Sequence, residues 1–115
     1  MGDTCVLGPL ELTFGDREVL FRFADPGAMM LGIPGQLETE LRKLTEERAA
    51  SFVSRKMVLD LDNLRTLTSR QLGILLMLRV ICEPLGGIVL RNLAEPVLGL
   101  LHLTKVAKLF EAETS

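Results

Sequence analysis

The sequence predicts an α/β domain built on a mixed sheet of about four to five strands, opened by an N-terminal hairpin and covered by about three to four helices. Three observations lead there. Two short alternating segments flank a tight turn near the start. Later apolar runs of strand length alternate with stretches of helical periodicity. The 115 residues match one ordinary domain, so a single domain over 1–115 is expected, with 1–9 as an N-terminal extension and 112–115 as a tail.

Leu10, Leu12 and Phe14 alternate with Glu11 and Thr13. Gly15-Asp16 marks a turn, and Glu18 to Phe23 follows with Val19, Phe21 and Phe23 on one face. Ala24 to Gly35 reads as a loop because it holds Pro26, Gly27, Gly32, Pro34 and Gly35. Its Met29, Met30, Leu31 and Ile33 either tuck under the loop as core or form an adaptable contact surface. Gln36 to Ser51 is a helix with Leu37, Leu41 and Leu44 in one row and charged residues opposite. Phe52 to Leu61 is a strand, nearly continuous in apolar residues over Met57–Leu61 as a central strand requires. A second helix runs from Arg70 to about Glu83, ended by Pro84 and Gly86-Gly87. Gly87 to Leu90 is a strand, and Glu95 to Leu103 a helix with Pro96 in its first turn. Lys105 to Glu111 is a final helical turn or two.

Composition narrows the function classes. Apolar residues make up 48% and charged residues 24%, which suits a globule and not a disordered chain. The net charge is -2 and the basic residues are scattered, so nucleic acid is not an expected partner. Cys5 and Cys82 are far apart and form neither a disulfide framework nor a zinc motif; free thiols in a reducing compartment are expected. No basic-then-apolar leader is evident, and no apolar run reaches the roughly 20 residues that span a bilayer. A cytoplasmic, unanchored protein without membrane insertion is therefore expected.

Enzyme motifs are not found: there is no G-x-S-x-G, no phosphate-binding loop and no dinucleotide fingerprint. His102 sits among leucines and reads as a partly buried helix residue, not a base or ligand. Asp60 and Asp62, as i and i+2, can point to one side and bind a divalent cation; a third ligand is not evident, so capping the turn at the sheet end is the simpler role. No cofactor, no metal and no catalytic residue is expected.

The segment Met57 to Leu78 reads MVLDLDNLRTLTSRQLGILLML. A buried strand ends in an acidic turn, and Thr68-Ser69 then stands at a helix N-terminus ahead of Leu72-Gly73 and further aliphatics. This pattern resembles the STAS family, the anti-sigma factor antagonists, whose motif has a V-L-D-L strand followed by D-S-S-G-L-G. Ser69 matches the first serine, the family's phosphate acceptor, and Leu72-Gly73 matches the L-G. Gly86-Gly87-Ile88-Val89-Leu90 resembles the family's G-G-x-L-x-L strand. Pro96-Val97, Leu100-Leu101, Leu103-Thr104 and Leu109-Phe110 resemble its last segment, so the likeness covers roughly Met57 to Phe110. The chain departs from the motif at Thr68, Arg70 and Gln71, which stand where the family has aspartate, serine and glycine.

The resemblance implies a phosphorylation-switched binding protein without catalysis of its own. Its unphosphorylated form would bind an anti-sigma factor serine kinase, which phosphorylates Ser69, and a metal-dependent serine phosphatase would reset it. The alternative is a scaffold or adaptor subunit in a larger signalling or lipid-transport complex, which never carries phosphate; the three departures point that way. On the residues alone, Ser69 is suited to be the helix N-cap. A phosphate there would meet the positive end of the helix dipole, with Arg70 able to pair with it. At about 100° per residue, Ile74, Leu75, Leu78, Ile81 and Cys82 share a sheet-facing side. Leu72, Leu76 and Val80 fall on the other side with Arg79 and Glu83, as a docking surface or as a face covered by the third helix or the C-terminal turn. The expected partner surface is Asp25, Thr68, Ser69, Arg70, Leu72, Gly73, Leu76 and Val80, with Asp25 carried over from the family's kinase-facing loop.

Overall fold

A computed structural model describes residues 3–7, 10–23, 34–62 and 64–112. In chain order these form β1 (Asp3–Leu7), β2 (Leu10–Phe14), β3 (Glu18–Phe23), α1 (Pro34–Glu47), α2 (Ala49–Val53), β4 (Lys56–Asp60), α3 (Ser69–Cys82), β5 (Ile88–Arg91), α4 (Glu95–Leu103) and β6 (Glu111–Ala112). Single 3-10 turns follow α3 and α4 at Glu83–Leu85 and Val106–Leu109. The strands lie in sequence order in one mixed sheet. β1, β2 and β3 pair antiparallel; β3, β4, β5 and β6 pair parallel. The expected α/β architecture, with its N-terminal hairpin, is what the chain adopts.

Register decides which side chains share a face. Leu12 lies opposite Phe21, Phe21 beside Leu59, and Leu59 beside Leu90. With Leu10, Phe14, Val19, Phe23, Met57 and Ile88 they form a buried apolar face. Leu37 and Leu41 of α1, Phe52 of α2, the buried row of α3, and Val97 and Leu101 of α4 join the same cluster. The helices therefore pack on one side of the sheet.

The other side is held differently. Val58 is fully buried although it points away from the core cluster, with Leu20 and Val89 beside it. Glu18 of β3 and Arg91 of β5 reach across β4 and meet in a two-pronged ion pair, 2.9 and 2.8 Å. That bridge covers the middle of β4 and keeps Val58 dry.

Several boundaries differ from the sequence reading. The expected 1–9 extension contains β1, paired along its length with β2, and Ala112 of the expected tail pairs with Leu90. Pro34 and Gly35 open α1 instead of closing a loop; proline suits that first turn because its missing N–H has no partner there anyway. Phe52 is helical, not the start of β4. Its ring packs edge-to-face on Phe14 at 5.3 Å and against Phe21 at 6.4 Å. Arg55 donates to the carbonyl of Ser51 at 2.9 Å and so satisfies the end of α2. The final helical segment is a 3-10 turn entered through Lys105 at φ 63. Asp25 and the Met29–Met30 loop lie outside the described residues. No helix among the described residues is long and apolar enough to cross a membrane.

Candidate functional site at the start of helix α3

Leu61, Leu64 and Leu67 are buried and pin the connection between β4 and α3 to the core. It delivers Thr68 in extended geometry, φ -84 and ψ 166. The Thr68 hydroxyl oxygen accepts the Gln71 backbone N–H at 3.1 Å, and the Gln71 side-chain oxygen accepts the Thr68 N–H at 2.8 Å. This is a reciprocal capping box, and Gln71 is buried to 3% exposure to make it.

The N-cap is therefore Thr68 and not Ser69. Ser69 is the first residue inside the helix, exposed, and its hydroxyl has no hydrogen-bond partner among the described residues. Two of the three departures from the family motif, Thr68 and Gln71, are the two halves of this cap. Threonine is a good N-cap, and Gln71 adds the second hydrogen bond.

At 100° per residue, Leu72, Gly73, Leu76 and Val80 all fall within about 60° of the Ser69 direction. Leu76 is 37% and Val80 54% exposed, Gly73 is exposed and Leu72 half-buried. Leu72 packs in part against the core cluster, while Gly73, Leu76 and Val80 are left exposed. A Cβ on Gly73 would meet nothing within 4 Å, so no contact among the described residues requires glycine there. The opposite row, Ile74, Leu75, Leu78, Ile81 and Cys82, is buried as its periodicity predicts. Thr68 and Arg70 are exposed beside Ser69.

The two aspartates act as ties at the C-terminal end of β4. Asp60 accepts from the Asp62 backbone N–H at 3.0 Å and from the Asn92 amide at 3.2 Å. Asp62 pairs with Arg22 at 2.8 Å. This is the turn-capping role. Among the described residues, no three metal-ligating side chains are gathered together. His102 is exposed on the last turn of α4, not partly buried, because Val97 and Leu101 take the inward positions. Burial pushes the Cys82 thiol up from 9.0 to about 12, so it is not a nucleophile at neutral pH.

Sequence reasoning missed Arg22, Asn92, and the Glu18–Arg91 pair. Their partners depend on strand register and on a left-handed Asn92, φ 57, neither of which leaves a local sequence signal. No known family model matches this chain. No curated protein matches it either.

Proposed function

We propose that the chain is a cytoplasmic protein-binding switch of the anti-sigma factor antagonist kind, with Ser69 as the modified residue. The observation that carries this reading is the division of labour at the start of α3. Thr68 caps the helix, which leaves the Ser69 hydroxyl exposed and uncommitted at the head of an exposed aliphatic row.

On this reading a partner docks along Ser69, Leu72, Gly73, Leu76 and Val80. A phosphate on Ser69 would add a charge of about -1.5 to -2 at a helix N-terminus, where the dipole tolerates it, so the domain stays folded. The same charge would face a partner shaped for a bare hydroxyl and repel it. The partner would be a serine kinase of the anti-sigma factor type, opposed by a metal-dependent phosphatase. The chain itself would catalyse nothing. The second reading, an unmodified scaffold, draws on Arg70, which replaces the family's second serine beside the acceptor.

The test is intact and peptide mass spectrometry of protein purified from its own host with phosphatase inhibitors present. Phosphate mapped to Ser69, together with partner binding kept by Ser69→Ala and lost by Ser69→Asp, is the expected result. An unmodified Ser69 under several growth and stress conditions, with equal binding by both variants, favours the scaffold.

A further inference from the structure

At the end of the sheet away from Ser69, a cleft of about 300 Å³ opens between the starts of β4 and β5 and the end of α3. Arg55, Lys56 and Arg79 stand on its walls against one carboxylate, Glu83. Apolar side chains also line it: Met57 and Ile88, both buried, and the exposed Leu109.

The two arginines are held in an unusual way for this molecule. Arg22, Arg42 and Arg91 each grip a carboxylate. Arg55 instead donates to the carbonyls of Gly15 and Ser51, at 2.7 and 2.9 Å. Arg79 donates to the carbonyl of Leu109 at 3.0 Å. Neither pairs with a carboxylate among the described residues, and Glu83, one turn beyond Arg79, is not bonded to it. A carbonyl orients a guanidinium without cancelling its charge, so both cations are positioned in a concave site whose described lining offers one carboxylate, Glu83. Gly86 and Gly87, at φ 118 and 88, form the lip, and no side chain overhangs it there.

We propose that this cleft binds a small phosphate monoester. Its phosphate would sit between Arg55 and Arg79, where guanidinium forks match phosphate oxygens. Its apolar part would lie against the exposed Leu109 at the rim. The site is separate from the Ser69 row and does not depend on the switch reading.

The test is a titration of the full chain, labelled with ¹⁵N, first with inorganic phosphate and then with phenyl phosphate, at constant ionic strength set with sodium chloride. Saturable shifts at the Gly86, Gly87 and Val89 amides are expected, with phenyl phosphate binding more tightly. Arg79→Gln should weaken binding by about tenfold or more, with the melting temperature of the free protein nearly unchanged. Arg79→Lys, which keeps the charge but not the fork, should fall between, and it serves if the glutamine variant does not fold. Unchanged affinity in these variants, or the same shifts with chloride alone, overturns the site. Equal affinity for both probes overturns the monoester assignment.

Discussion

Ile74, Leu75, Leu78, Ile81 and Cys82 run along one side of α3 and are buried in the core; Leu72, Gly73, Leu76 and Val80 run along the other and are mostly open to solvent. Both rows are aliphatic, so hydropathy alone does not tell them apart. What separates them is direction, set by the capping box that fixes where the helix starts. Stability is concentrated on the first row. The second contributes little to it, which leaves that row free to change, or to be recognised, without unfolding the domain.

The strongest way to break this contrast is on the buried side. Leu78→Ala removes a fully buried side chain and should cost about 2–5 kcal/mol, read from urea unfolding; a loss below about 1 kcal/mol would mean that α3 is not seated as described.

Cys82 sharpens the contrast through pH. Its thiol is held protonated in the fold, so the unfolded chain loses that proton first as pH rises above 9.0. Stability from this group is complete below pH 9.0 and declines between there and about 12, by up to about 1.4 kcal/mol per pH unit. Unfolding free energies measured from pH 8 upward should show this slope in the wild type, and Cys82→Ala should lack it while being less stable throughout.

Thr68→Ala opens the capping box and should cost about 1 kcal/mol. Thr68→Asp should restore most of it, since aspartate also caps. Equal stability of all three proteins would return the capping role to Ser69.

The smallest effect falls on the exposed row. Gly73→Ala should stabilise by about 0.5–1 kcal/mol, because a methyl group there meets nothing. If the row docks a partner, the same variant should weaken that binding, so melting temperature and affinity would move in opposite directions.

Much of this was legible in the sequence where local chemistry decides. The Gly15-Asp16 turn and the alternation around it mark β2 and β3 to the residue, and the periodicity of α3 sorts its two rows. The capping box was also readable, since threonine followed three residues later by glutamine is its signature, yet the sequence reading gave the cap to Ser69. Phe52 was not legible: an aromatic beside Val53 suits a strand, and only the rings of Phe14 and Phe21, brought in by the sheet, favour the helix. The unpaired arginines of the cleft were equally hidden, because what defines them is which carboxylates they fail to meet.

The Glu18–Arg91 bridge has a consequence for how the chain assembles. Its partners are 73 residues apart and sit on strands that are not neighbours, so it cannot form until β3, β4 and β5 are aligned. Contacts of such long sequence separation are costly to form early. The bridge therefore acts as a latch that closes last, and removing it with Glu18→Gln should quicken unfolding while leaving the folding rate almost untouched.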